Sequence, residues 1–409
     1  MVQTSHHIVE TPSIADFFNA HTHSIATLLD TLVRHSFDLR ASDIHIHPER
    51  TFVQVRIRVD GVLAPLCTIP HAQYQEYVSR VKICARLRTD EHQTPHDGRF
   101  CVAHTPETSI DIRVSIVPTY HGESIVLRLL AESRDTLSLE SLGFSKNDTL
   151  LLIRALEKHT GMILTTGPTG SGKTTTLYAL MQTLHTPEVS IVTIEDPIEY
   201  SLPGIKQIQV NHNTGLTFAS GLKSIVRQDP NSIMVGEIRD HETASLAINT
   251  ALTGHLLLST LHTTDAATTI PRLLDLSIEP YLIASTVSLV VGQRLVRKIC
   301  PHCTYERRLT DAEKKHLSTL VPDSLTDTSY AEGAGCDNCL HTGFRGRTTI
   351  CEILVMHAAM RDAIIQRASS AEIDALARAH GMTPMLQDGY TKVQRGITTL
   401  RELFRVVQE

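Results

Sequence analysis

Apolar and polar positions alternate with two different periods, and the change of period divides the chain. Ile25, Leu28, Leu29, Leu32 and Val33 recur at helical spacing, which predicts a helix with Ser24 as its N-cap. The stretches DIHIHP and TFVQVRIRVDGVL then alternate apolar with polar, predicting paired strands that turn at Asp60–Gly61. A helix is expected near Gln73 to Leu87, and strand-like runs return at RFCVAH, SIDIRVSIV and SIVLRLL. Together these elements predict a small α+β domain over residues 24–135. The polar residues 1–23 before it read as a poorly ordered lead-in.

The runs MILTTG, SIVTIED, SIMVGE and HLLLSTLH are short, apolar and separated by helical stretches. Strands alternating with helices predict a parallel sheet covered on both faces, here over residues 136–299. A cysteine-bearing segment is expected at 300–346. After Met356 the periodicity is helical to the end, giving a helical part over 347–409. There is no internal repeat.

Composition narrows the picture. A chain of 409 residues, 41% hydrophobic and 20% charged, suits a multidomain globular protein that needs no disulfide staples. A net charge of −6 argues against a dedicated nucleic-acid binder, so no direct nucleic-acid partner is expected. The longest apolar stretch, Tyr281 to Val291, is too short to span a membrane. The first residues lack a basic start followed by an apolar run, so no secretory signal is expected. The expected location is the cytoplasm, with membrane attachment only through a partner.

The sharpest chemical signal is GPTGSGKT. Gly167, Pro168, Thr169, Gly170, Ser171, Gly172, Lys173 and Thr174 fill the phosphate-loop pattern completely, between an apolar strand and the helical TTLYALMQTL that Thr175 continues. The glycines let backbone N–H groups curl around a phosphate, and the helix N-terminus adds partial positive charge. Lys173 reaches the β- and γ-phosphates, and the Thr174 hydroxyl can ligate Mg²⁺. ATP and Mg²⁺ are the expected ligands.

Hydrolysis needs carboxylates beside that loop. Two predicted strands end in them: Glu195, Asp196 and Glu199 in SIVTIEDPIEY, and Glu237 and Asp240 in SIMVGEIRD. Ligands sit at the carboxyl ends of strands in such sheets, so Glu195 and Glu237 are the favoured pair. Glu199 and Asp240 stand equally as solvated loop acids. His255 and His262 flank a third strand. Either could sense nucleotide state or be a satisfied structural histidine.

The cysteines Cys300, Cys303, Cys336 and Cys339 form two C-x-x-C pairs among eight cysteines. Four thiolates fill a tetrahedral shell, so a structural Zn²⁺ site is expected. The alternative is two reduced, empty pairs.

In order, the phosphate loop, TIEDPIEY, RQDPNSIMVGEIRD and GHLLLSTLHTTDA resemble the Walker A, Asp, Walker B and His boxes of the type II secretion and type IV pilus assembly ATPases (GspE/PilB type). ASDIHIHP, VRIRVDGVL, TPHDGRF and DIRVSIVPTYHGESIVLRLL resemble that family's second N-terminal domain. VGQRLVRKICPHC, CDNCLHTGFRGRTTICEIL and GMTPMLQDGYTKVQRGITTLRELFRV resemble its C-terminal half. The likeness covers residues 25–409. It implies a RecA-like ATPase domain preceded by a PAS-like α+β domain, in a hexameric ring driving a membrane platform protein. Nucleotide would close the N-terminal domain on the ATPase domain.

By the same resemblance, Glu195 polarises the attacking water and Glu237 supports the Mg²⁺ shell. Arg99 and Arg113 reach the nucleotide from the N-terminal domain. Arg239, and with it Arg227 and Arg347, take part in nucleotide or subunit contact. Without the family likeness, each would read as a surface arginine in a salt bridge. The tetracysteine site points to an assembly or secretion motor rather than a retraction motor.

Three departures from the family stand out. Fewer than about 25 residues precede the second N-terminal domain, so a docking domain is expected to be absent or replaced. His47 stands where Glu is common, and Lys223 where Arg is frequent. The leading expectation is an ATP-hydrolysing motor. The alternatives are a retraction or DNA-uptake motor, and a nucleotide-binding scaffold that does not hydrolyse.

Overall fold

Alternation in the N-terminal half buries Ile44, Ile46, Val53, Val55 and Ile57 on one face of an antiparallel sheet. The computed structural model describes residues 24–105, 108–130, 138–311, 313–314, 317 and 329–407, so the lead-in at 1–23 lies outside it. The chain forms two units, Met1–Ser133 and Arg134–Glu409.

The first unit holds β1 (Ala41–Pro48), β2 (Phe52–Val59), β3 (Val62–Pro70), β4 (His96–Thr105), β5 (Thr108–Thr119) and β6 (Gly122–Leu130). They form one sheet in the order β3-β2-β1-β6-β5-β4. The β2–β3 turn falls at the expected pair, with Asp60 and Gly61 both at positive φ. The helices Ile25–Asp38 and Tyr74–Cys84 pack Leu28, Leu29, Leu32, Val33, Tyr77, Val78 and Val81 into the same core. Ser24 caps the first of them, accepting from the Thr27 N–H at 3.2 Å.

The second unit is built on β7 (Gly161–Thr166), β8 (Ile191–Glu195), β9 (Lys206–Gln209), β10 (Ser232–Val235), β11 (Leu256–Leu261) and β12 (Val287–Ile299). A small hairpin of β13 (Thr304–Arg308) and β14 (Ser329–Gly333) follows, then β15 (Phe344–Val355). The main sheet runs β15-β12-β7-β11-β10-β8-β9. Its pairs are parallel except for β15, which runs antiparallel to β12. β7 and β11 are buried at every residue, as central strands covered on both faces must be. Met162 and Leu164 of β7 enter one core and Ile163 the other.

Four helices close the chain: Ala358–Ile365, Ser370–Ala379, Met385–Gln394 and Leu400–Val407. Among the described residues, no helix is long and apolar enough to cross a membrane.

Candidate functional site

The parallel register carries the C-terminal ends of β7, β8, β10 and β11 to one edge of the sheet, and each end bears residues singled out from the sequence. Gly167–Gly172 link β7 to the helix Lys173–Leu184, with Gly167, Gly170 and Gly172 all at positive φ. Lys173 folds back into its own loop, donating from Nζ to the carbonyls of Gly167 at 2.8 Å and Pro168 at 3.0 Å. Burial pushes its ammonium down to about 8, against the opposing pull of Glu237. A lysine held in this way is poised to exchange two neutral carbonyls for anionic oxygens. Ser171 is buried, while Thr174 and Thr175 are half-buried on the first helical turn.

Glu237, just past β10, is nearly buried and meets two side chains. His262 Nε2 donates to its Oε2 at 3.0 Å, and Arg239 Nε lies 2.7 Å from the same oxygen. The sheet thus brings Glu237, Arg239 and His262 together beside Lys173. It separates the two candidate histidines. His262 follows β11 at the phosphate end, whereas His255 precedes it at the far end, bonded to the Thr250 carbonyl at 3.2 Å.

Glu195 closes β8 and is only 2% exposed. Thr193 Oγ1 donates to its Oε1 at 2.6 Å and Gln207 Nε2 at 3.2 Å, while Tyr178 Oη donates to its Oε2. Burial raises its pKa, and the bonds from Thr193, Tyr178 and Gln207 oppose the rise. Glu199 is half-buried four residues on, its N–H donating to Tyr178 Oη at 3.4 Å. Asp240 caps the helix His241–Leu252, accepting from the Thr243 N–H at 2.8 Å.

Arg99, Arg128, Arg227 and Arg347 are exposed, and Arg113 is half-buried. Arg227 holds the Lys223 carbonyl at 2.8 Å, and Lys223 itself pairs with Glu242 at 2.7 Å. Arg347 stands on β15 opposite Arg297. In the N-terminal unit, Arg99, Arg113 and Arg128 face one another across β4, β5 and β6. Arg99 pairs with Asp111 through Nε at 2.9 Å, and Arg128 with Asp43 at 3.0 Å.

The sulfurs of Cys300, Cys303, Cys336 and Cys339 all lie within 4.8 Å of one another. The 300–336 and 303–339 pairs are 3.9 Å apart and the 336–339 pair 3.8 Å. Thiolates bound about 2.3 Å from a central tetrahedral ion would stand about 3.8 Å apart. Backbone N–H groups of Gly335, Cys336 and Gly343 donate to Cys303 and Cys339 at 3.2–3.3 Å. Burial alone would raise the Cys339 thiol, but the N–H groups of Cys336 and Gly343 and the neighbouring sulfurs bring it down to about 7.

Sequence reasoning did not reach Tyr178, Gln207 or Gln293. Tyr178 lies five residues beyond Lys173, where its ring reads as helix core. Gln207 sits on a strand of only four residues. Arg128 carried a readable signal, since it repeats the polar phase of VRIRV.

A glycine-rich loop between a buried strand and a helix, with a carboxylate and a histidine at the next strand ends, defines a RecA-like P-loop ATPase. The chain matches the family described as type II/IV secretion system protein over residues 19–405. It is 45% identical over 387 residues to type II secretion system protein E of Xanthomonas campestris, covering 94% of this chain and 68% of that one. It is 43% identical to the type IV pilus assembly ATPase PilB of Thermus thermophilus, covering 91% of this chain and 42% of that protein's length.

Among solved structures, the Legionella pneumophila ATPase DotB aligns with a TM-score of 0.69 at 23% identity, over 93% of this chain and 95% of that one. The pilus retraction motor PilT with bound ADP aligns at 0.62 and 24% identity, over 92% and 96%. These two establish the shared fold. The chain belongs to the type II/IV secretion system protein family, whose relatives here are secretion and pilus-assembly ATPases.

Proposed function

We propose that this chain hydrolyses ATP with Mg²⁺ and works as a hexameric motor for type II secretion or for type IV pilus or pseudopilus assembly. The observation that carries the reading is the convergence of Lys173, Glu237 and His262 at one sheet edge. Gly167–Thr174 bind the phosphates, with Thr175 and His262 beside them. The Thr174 hydroxyl and Glu237 would hold the Mg²⁺ shell, where the ion would neutralise phosphate charge.

Glu195 polarises the attacking water in this reading, and Arg99, Arg113 and Arg239 offset the charge that develops on the phosphate. Nucleotide closes the N-terminal domain on the ATPase domain, and the ring engages an inner-membrane platform protein from the cytoplasmic side. The functional parts are taken as 24–135, 136–299, 300–346 and 347–409, although the last is not wholly helical, because β15 joins the main sheet beside β12. A structural Zn²⁺ at the four cysteines is supported by their near-tetrahedral sulfur spacing.

One observation favours a second assignment for the water. Both Glu195 oxygens already accept hydrogen bonds and the group is nearly inaccessible, whereas Glu199 is half-buried. Under that assignment Glu199 orients the water and Glu195 fixes the strand end. Phosphate release by Glu195→Gln and Glu199→Gln chains decides between them, because the group that meets the water shows the larger fall in turnover. The overall reading is tested by phosphate release from ATP with and without Mg²⁺, and it fails if Lys173→Ala and Glu237→Gln chains turn over like the wild type.

A further inference from the structure

β12 runs beside β7, and Gly292 pairs with Thr166, the last residue of β7. Gln293 therefore stands where the phosphate loop leaves the sheet. A Cβ on Gly167 would come within 2.3 Å of the Gln293 carbonyl oxygen, and one on Gly172 within 3.3 Å of Gln293 Nε2. Gly170, by contrast, has nothing within 4 Å of its Cβ position. Two of the loop's glycines are thus fitted to this one residue.

The Gln293 side chain is fully buried, and its Nε2 donates to the Ser171 carbonyl at 2.8 Å. Its Oε1 and the Ser171 hydroxyl are buried without a hydrogen-bond partner among the described residues. Its neighbours along β12, Val291 and Gly292, are buried as well. An amide costs free energy in such a place, and a leucine or methionine would pack as well. Packing alone does not account for it. Its hydrogen bond has a geometric consequence, because the C=O and N–H of a trans peptide point to opposite sides. Holding the Ser171 carbonyl against Gln293 sends the Gly172 N–H away from it.

We propose that Gln293 is a positioning residue of the nucleotide site: its amide fixes the Ser171–Gly172 peptide and so preforms the loop for a triphosphate. This rests on the reading of Gly167–Thr174 as the ATP site.

The test is a titration of the full chain with a fluorescent ATP analogue and Mg²⁺, followed by steady-state kinetics and thermal unfolding. Gln293→Met keeps the volume and removes the donor. It is expected to fold and to bind roughly tenfold more weakly, with KM raised more than kcat is lowered. Gln293→Glu keeps the shape and makes the donor titratable. A protonated carboxyl donates to the Ser171 carbonyl and an ionised one cannot. Its affinity relative to the wild type at the same pH should therefore be highest at acid pH and fall as pH rises.

Wild-type affinity in Gln293→Met, or no such slope in Gln293→Glu, overturns the proposal. Should Gln293→Met not fold, the Gln293→Glu slope decides alone. Lys173→Ala keeps the two readings apart. Loss of binding there, with both Gln293 variants unaffected, leaves the ATP site standing and removes only the positioning role. A wild-type chain that binds no nucleotide removes both.

Discussion

His262 and Glu237 meet at 3.0 Å across the ends of β11 and β10, and Arg239 lies 2.7 Å from the same carboxylate oxygen. The contact ties two neighbouring strands together at the point where a γ-phosphate would be recognised. Glu237→Gln keeps the shape and removes the charge. Turnover is expected to fall on the order of 100-fold while nucleotide binding is retained. His262→Ala, which leaves the carboxylate in place, should lower turnover less. Paired phosphate-release and binding measurements check both.

Lys173 gives the site a pH dependence. Burial holds its ammonium near 8 rather than 10.5. Phosphate oxygens favour the charged form, so above about pH 8 the free protein must take up a proton in order to bind. Affinity for ATP should fall as pH rises from about 8 toward 10.5. Calorimetry in buffers of different ionisation enthalpy should report proton uptake there and little at pH 7. The nucleotide-free chain should gain stability over the same interval, because its unfolded form binds the extra proton.

The four cysteines yield a compositional prediction. Purified protein should carry about one zinc per chain by elemental analysis. Cys336→Ser or Cys339→Ser should lose the metal and lower the unfolding temperature. A fully folded chain that is metal-free after expression in zinc-replete medium would remove the structural zinc.

Glu402 anchors the last helix. Arg297 reaches it through Nη2 at 2.7 Å and Arg405 through Nη2 at 2.7 Å. Burial opposes its charge, but the bonds from Arg405 and Arg297 hold it down to about 2 instead of 4.5. A depressed carboxylate stabilises the fold above pH 4.5, and that stabilisation is lost as pH falls toward 2. Arg297→Met leaves a buried charge with one partner fewer, and about 3 kcal/mol of destabilisation at pH 7 is expected. Denaturant melts at pH 7 and pH 3 should show the difference shrinking at the lower pH.

Much of this was legible in the residues. The Ser24 cap, the Asp60–Gly61 turn and the alternation of the first sheet follow from local rules, and the structure keeps them. The phosphate loop was equally readable, because its glycines, lysine and threonine are adjacent in sequence. What escaped depends on strand order. β12 lies beside β7 although more than a hundred residues separate Gln293 from Ser171, so no periodicity could place that amide against the loop. His255 and His262 look alike at either end of one apolar run, and only the parallel register places His262 at the edge that carries the glycine-rich loop. Glu195 is legible as a strand-end carboxylate, but Tyr178 and Gln207, which hold it, come from other elements.

The most direct test of the central claim is the rate of phosphate release from ATP by the full chain. The expected result is Mg²⁺-dependent release that Lys173→Ala abolishes. A wild-type chain that binds ATP tightly, yet releases phosphate no faster than Lys173→Ala, would contradict it and leave a nucleotide-binding scaffold in its place.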